Sequence, residues 1–221
     1  MKETKSDFSN EKNASSREII LRQISDISRR RKTEVSPSNF LGNQIYKEIV
    51  PDAITCFQQE IRAVAGECFV FESEPELFVS LKKFVSEKGF SNLHCRDEKL
   101  KECLNRYGIP FSSSDDDFET MEAGLTGCEF LVARTGSVIV SSRNSGRKMN
   151  IFPPVHIVVA HSFQLVNYLE DAYRQILQKY GNKLPSIIST ITGPSRTSDI
   201  EKTLVLGAHG PKQLFVFLSE K

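Results

Sequence analysis

The segment from Thr192 to Glu201 combines residue types that are suited to binding an anion. It directly follows an apolar stretch that is typical of a β-strand. Gly193 frees the backbone, Pro194 fixes φ, and Ser195 can cap a following helix. Arg196 adds a fixed charge with a planar fork of donors. Together these residues predict a cradle for a carboxylate or phosphate at a helix N-terminus.

A structural interpretation of the same segment stays open. A plain strand-to-helix turn uses Gly, Pro and Ser equally well, although it does not require Arg196. In either case Ser195, Thr197 or Asp199 would cap the expected helix. Asp199 and Glu201 are two residues apart and share no helix face, so they do not form a paired carboxylate site.

Two further segments carry residues that could bind a ligand. In the first, Gly136 permits a positive φ or a close approach to the backbone, and the hydroxyls of Thr135 and Ser137 can donate to an anion. A plain hairpin turn needs the same residues. In the second, His209 and Gly210 lie in an expected loop, where His209 could transfer a proton near neutral pH or simply hold a loop carbonyl.

Other polar residues favour structural roles. His156 begins an apolar strand, so we expect it to be buried, with one ring nitrogen bonded locally. The run Asp115 to Asp117 lacks calcium-loop spacing and suggests a negatively charged helix start. The five cysteines have no C-x-x-C pair and indicate buried thiols in a reducing cell. We expect no metal site and no bound cofactor.

The apolar pattern predicts alternating helices and strands. Helical spacing marks four segments: 54–64, 77–88, 100–107 and a long helix from Leu165 to Leu177. A further helix is expected from Phe111 to Glu119. Strands are expected at 68–71, near Leu93, and in the following apolar runs: 128–133, 138–140, 157–160, 187–192 and 214–218.

This order predicts an α/β fold with a mostly parallel sheet covered by helices on both faces. The two apolar runs 128–133 and 138–140 should be adjacent buried strands joined by a tight turn. Ligands of open α/β sheets bind beyond the carboxyl ends of the strands. We therefore expect the Thr135, Gly193 and His209 segments to converge at that edge.

The amino-terminal part differs from the rest in composition. Residues 1–14 hold too few apolar side chains to order and should form a disordered tail. Ser15 and Glu18 form a capping box, so 15–43 is expected to be a helical arm and linker, which could also reach a second copy in a homo-oligomer. Residues 44–221 would form the main domain.

Composition narrows the classes of partner. Apolar residues make up 39% and charged residues 26% of the 221 residues, as in globular proteins. The 29 Lys and Arg nearly balance the 28 Asp and Glu, so no global positive field attracts nucleic acid or anionic membranes. No apolar run is as long as that of a signal peptide at the N-terminus or of a membrane helix elsewhere, and we expect a cytoplasmic protein.

Four motifs resemble, in order and spacing, the lactate-utilisation C-type (LUD, formerly DUF162) family. They are Gly127–Ser137, Pro153–Val158, Ile191–Glu201 and Leu206–Pro211. The resemblance is close over residues 124–218, while the first half matches only in layout. It implies that the main domain is a LUD domain with a fold like that of NagB, RpiA and the CoA transferases.

The resemblance also implies a function. Members of this family are associated with oxidation of L-lactate to pyruvate alongside iron-sulfur partner proteins, and this chain's cysteines lack the spacing to hold such clusters. The loops would then bind a small carboxylate or phosphorylated metabolite. Arg134 stands where many members have Glu, which puts in doubt a carboxylate nucleophile or base there. If Arg134 faces the site, it would instead be a second cation beside Arg196 for a small carboxylate.

Two alternatives remain beside that function. The chain could be a stand-alone transferase or ligase that acts on a phosphorylated, folate or CoA-linked substrate through the same loops. It could also be a sensing or scaffold subunit, because no nucleophile, base and acid set is evident. Whether the chain is an enzyme is therefore left open. Adjacent genes that encode iron-sulfur cluster-binding and oxidoreductase proteins would favour a role in lactate oxidation.

Overall fold

A computed structural model describes residues 16–30, 48–198, 204–206 and 210–221. The chain divides into two units, Met1–Lys47 and Glu48–Lys221. In the first unit, helix α1 (Ser16–Arg30) is present where the sequence predicts the arm helix, with several exposed apolar side chains. The expected tail and linker lie outside the described residues. Within the described residues, no helix is long and apolar enough to cross a membrane.

The second unit is built on a fully parallel five-stranded sheet. Its strand order is β1-β11-β6-β3-β2. The strands are β1 (Glu67–Phe71), β2 (Leu93–Cys95), β3 (Ala123–Thr126), β6 (Val155–His161) and β11 (Gln213–Ser219). The predicted α/β class with a mostly parallel sheet is confirmed.

A second sheet of four strands packs against the first. Its order is β7-β4-β5-β8, with β4 and β5 antiparallel and joined by a 3-10 turn at Ala133–Thr135, as the two apolar runs predict. The strands are β4 (Phe130–Val132), β5 (Ser137–Ser141), β7 (Leu165–Val166) and β8 (Ile188–Ile191). The prediction that the long helix begins at Leu165 is wrong: Leu165 lies in β7, because its backbone pairs with Leu131.

The helices form layers around these two sheets. Helices α3 (Glu74–Lys88) and α4 (Glu98–Tyr107) cover one face of the parallel sheet. Helix α2 (Ala53–Ala63) and the second sheet cover the other face, and α6 (Leu169–Tyr180) covers the outer face of the second sheet. The remaining helix is the single turn α5 (Ser142–Ser145).

Burial on both faces explains the apolar runs of the parallel strands. Along β6, Ile157 and Val159 belong to the core beneath α3 and α4, while Val158 and Ala160 belong to the core beneath α2. Each fully buried aliphatic side chain contributes roughly 1.5 to 3 kcal/mol. A strand between two such cores has no face exposed to solvent. Its residues are therefore mostly apolar instead of alternating between apolar and polar.

Capping residues set the ends of the helices. Asp52 caps α2 by accepting from Thr55 N at 2.9 Å. Gly89 and Gly108 end α3 and α4 with φ of 69° and 62°, in the left-handed region that favours glycine.

The helix expected from Phe111 to Glu119 is absent, and that prediction is wrong. Ser112 forms an isolated bridge to the edge strand at His94, and a turn follows. The serines bond the local backbone instead of capping a helix: Ser112 Oγ accepts from Ser114 N at 3.2 Å. Asp115 to Asp117 therefore lie in this turn and do not begin a helix.

The helix expected after Arg196 is also wrong where the structure describes it. Strand β9 (Arg196–Ser198) pairs antiparallel with β10 (Leu204–Leu206), so Ser195 and Thr197 cap no helix there. The apolar run of β10 supplies a pairing strand for Arg196–Ser198. Local propensity alone does not reveal this pairing. Asp199 and Glu201 lie outside the described residues.

Candidate functional site

The predicted Thr135–Ser137 turn is joined to the Gly193 segment by a chain of hydroxyl groups. Thr135 Oγ1 lies 2.7 Å from Ser137 Oγ, which lies 2.7 Å from Thr192 Oγ1. Gly136 has a φ of 59°, and a Cβ placed there would lie 2.2 Å from the backbone nitrogen of Ile61. The turn is therefore pressed onto α2, and only glycine fits it.

The Gly193–Arg196 segment contacts the end of the same helix. Gly193 has a φ of 81°, and a Cβ there would lie 2.2 Å from the carbonyl oxygen of Val64. Arg196 Nη2 donates to this oxygen at 3.1 Å. Val64 is the C-cap of α2, so Arg196 places positive charge at the negative end of the helix. This contact favours the structural interpretation of Arg196.

Arg196 also lines a cavity of about 400 Å³ together with Pro194, Lys212 and Glu67. Two cations and one carboxylate thus surround this space.

The predicted segments lie at the opposite edge of the parallel sheet from the one expected. Ser195 N donates to Pro211 O at 2.8 Å, just before β11 begins, and the 400 Å³ cavity is lined by the first residues of β1 and β11. The segment after Thr192 follows a strand of the second sheet. The rule that ligands bind beyond the carboxyl ends of the strands concerns the parallel sheet and does not apply to this segment. The segment before Pro211 precedes its strand, so it reaches the amino end.

A smaller pocket gathers three of the predicted residues around an unpaired amide. About 280 Å³ in volume, it is lined by Gly193, Ser195 and Gly210, together with Thr192 and Asn150. The Asn150 side chain is 2% exposed, and neither its oxygen nor its nitrogen has a hydrogen-bond partner among the described residues. Such a group costs free energy unless something binds it. His209 lies outside the described residues.

A second cavity, which the sequence did not indicate, lies at the carboxyl edge of the parallel sheet. It measures about 310 Å³ and is lined by residues that follow β2, β3 and β6. Glu129, 7% exposed, accepts from Ser141 Oγ at 2.6 Å, Tyr180 Oη at 2.7 Å and Lys179 Nζ at 2.8 Å. In the sequence, Glu129 lies within the first motif, Gly127–Ser137, but its residue type and spacing did not mark it as a site residue.

The Glu129 carboxylate is held in its ionised form. Burial by itself would raise the pKa of Glu129, but the hydrogen bonds from Lys179, Ser141 and Tyr180 outweigh it and lower that pKa below its usual value. The bond to Glu129 likewise outweighs burial and raises the pKa of Lys179. A carboxylate with three donors and a lowered pKa is poorly suited to accept a proton from a substrate.

The family model of the LUD domain matches residues 54–219. The chain belongs to the LUD domain family. Its second unit is thus a LUD domain, as the four motifs indicate.

Two relatives and one solved structure are similar to this LUD protein. Lactate utilization protein C of Shouchella clausii is 35% identical over 111 residues, which cover 49% of this chain and 48% of the relative. Its Bacillus subtilis counterpart is 35% identical over 107 residues, covering 47% and 45%. The matched part spans about half the length of these relatives.

The solved structure is that of a DUF162 family protein from Deinococcus radiodurans. It superposes with a TM-score of 0.57 at 19% identity, covering 76% of this chain and 96% of that protein. At this identity the likeness establishes the shared fold.

His156 occupies the buried position expected for it in the LUD domain. It is fully buried, and its Nε2 lies 2.8 Å from Thr126 Oγ1 on the neighbouring strand, so it joins two strands and does not hold a loop. Burial lowers the pKa of His156 to about 4. The ring is therefore neutral at physiological pH.

Arg134 is paired within the domain. Its Nη1 donates to Glu60 Oε1 on α2 at 2.7 Å, and its backbone N donates to Asn167 O at 3.1 Å. The expected alternative, a second cation beside Arg196 for a ligand, does not apply to a guanidinium that is paired with Glu60.

In the described parts of the LUD protein, no three His, Cys, Asp or Glu side chains are placed to hold a metal ion. All five cysteines are unpaired thiols.

Proposed function

We propose that this LUD protein takes part in lactate utilisation, the oxidation of L-lactate to pyruvate, as a ligand-binding component that works with iron-sulfur partner proteins. The observation that carries this proposal is the family match over residues 54–219, together with relatives at 35% identity named lactate utilization protein C. The protein would act in the cytoplasm, where its thiols stay reduced.

The ligand would be a small carboxylate in the pocket around Asn150. An amide offers donors from its nitrogen and acceptor capacity from its oxygen. A 2-hydroxy acid such as lactate needs a donor for its carboxylate and an acceptor for its hydroxyl. Thr192 and Ser195 add hydroxyl groups to the same pocket. Burial of the unpaired Asn150 amide in that pocket supports this assignment.

Arg196 would contribute its charge from the neighbouring cavity. It uses one donor on Val64 O, and among the described residues its remaining N–H groups have no other partner and are available to an anion. A charge-assisted bond of this kind contributes about 1.5 to 3 kcal/mol.

The binding test is a thermal-shift titration of the purified protein with L-lactate and with pyruvate. A ligand present at about 100 times its dissociation constant adds about 2.7 kcal/mol of stability. We expect this shift with the wild type, its loss in Asn150→Leu, and its reduction in Arg196→Ala. Asn144→Ala is the matched control, because Asn144 is exposed and lines the 310 Å³ cavity instead of the Asn150 pocket. An unchanged shift in Asn150→Leu, or none in the wild type, would refute the site.

The partner test is co-purification from the native host. We expect an iron-sulfur protein to elute with the chain in size-exclusion chromatography, and the elution volume of the chain alone to report whether it forms a homo-oligomer. Elution without any cluster-containing protein, combined with turnover of a substrate by the isolated chain, would favour the stand-alone enzyme instead.

A further inference from the structure

We propose that the 310 Å³ cavity at the carboxyl edge of the parallel sheet is a second binding site, for an anionic ligand that carries a planar ring, such as a nucleoside phosphate. The cavity lies where β2, β3 and β6 end, and its lining includes Asp97, Gly127 and Phe163 from the segments that follow these strands. Ligands of α/β sheets bind at this edge. Its volume is at the lower end of the range for small-molecule sites.

The acidic groups of the cavity are already occupied. Asp97 Oδ1 accepts from Lys99 N at 3.0 Å and from Leu100 N at 3.5 Å at the start of α4. Glu129 accepts three hydrogen bonds, including one from Lys179. Glu129 is thus paired with a cation, and one oxygen of Asp97 is held by the start of α4.

The unused polar groups of the cavity are mainly donors. In the described parts of the chain, the Lys99 ammonium makes no hydrogen bond or ion pair, and it lines the cavity. Lys179 uses one of its three donors on Glu129, and its side chain is 55% exposed. Unpaired ammonium donors beside satisfied carboxylates favour a ligand that accepts hydrogen bonds and carries negative charge.

An aromatic platform borders the same space. Phe163 is 79% exposed and stacks on His161, with ring centroids 5.4 Å apart and an interplanar angle of 7°. Both side chains line the cavity. One face of the Phe163 ring is covered by His161, which leaves the opposite face for a planar ligand. A single exposed Phe is common, but a stacked pair beside two lysines matches a ring joined to an anionic group.

The test is a titration of the full chain with AMP at low ionic strength, measured by isothermal calorimetry. Ribose 5-phosphate lacks the planar adenine base and adenosine lacks the charge, so each should bind more weakly than AMP. Phe163→Ala should weaken AMP binding by about fivefold or more, as expected for loss of base stacking. Lys99→Ala should weaken it about threefold to tenfold, with a smaller effect at high salt.

Neither substitution should disturb the fold, because both side chains are exposed. In Lys99→Ala the backbone N of residue 99 still donates to the capping side chain of Asp97. Lys183→Ala, an exposed lysine outside the cavity, is the matched control for charge. Arg196→Ala should leave AMP binding unchanged, so failure here is distinguishable from failure of the lactate site. Absence of AMP binding, or equal affinity of wild type, Phe163→Ala and Lys99→Ala, would overturn the proposal.

Discussion

Replacing Asn150 by Leu removes two buried polar atoms while the branched shape of the side chain is kept. The amide is 2% exposed and has no partner among the described residues. Burying an amide without a hydrogen bond costs about 1 to 3 kcal/mol in proteins. Without ligand, Asn150→Leu should therefore raise the free energy of unfolding by about this amount.

The expected change is large enough to measure by thermal denaturation. For a chain of this size each kcal/mol shifts Tm by about 2 to 4 °C, so Tm should rise by about 2 to 12 °C. Urea denaturation should show the same gain through a higher midpoint at constant slope. A lower Tm for Asn150→Leu would refute the reasoning, because it would mean that the amide is hydrogen-bonded in the ligand-free protein. Asn144→Leu, at an exposed position, controls for the added apolar volume.

Two further predictions concern the packing that holds the site. Gly136→Ala should destabilise the protein by about 3 kcal/mol or more in urea denaturation, because its Cβ would meet Ile61 N at 2.2 Å and its φ is 59°; wild-type stability would contradict this close approach. Because the pKa of His156 falls from 6.5 to about 4 on folding, the unfolded chain binds the extra proton between these values, and stability is lost as pH falls through that window. Between about pH 7 and about pH 5 this loss amounts to about 2 kcal/mol, and a His156→Gln variant with the same pH dependence would show that another group is responsible.

The sequence predicted most secondary structure because the signals are local. Gly89 and Gly108 end their helices where the helical pattern stops, since glycine adopts the left-handed cap without strain. The β4 and β5 strands were predictable as apolar runs around a Gly turn. The same local logic failed for the segment after Arg196, where pairing with β10 decided the conformation.

The proximity of two predicted segments could be foreseen from the sequence, but their location in the fold could not. The hydroxyls of Thr135 and Ser137 and the Gly193 segment do come together, as the motifs suggested. Their position at the amino edge of the parallel sheet depends on which sheet each strand joins. Strand partnership is a long-range choice, and an apolar run of four residues does not reveal its partner.

The sequence by itself determined the family, the α/β class and the positions of most helices and strands, because motifs and periodicity are written along the chain. Only the tertiary structure decided what the side chains of these motifs touch. Arg196 and Val64 are 132 positions apart, yet they share a hydrogen bond. The unpaired amide of Asn150 and the three donors on Glu129 likewise depend on side chains from separate elements. Burial and hydrogen bonding arise from packing, and packing is settled when the two sheets and their helices close around one another.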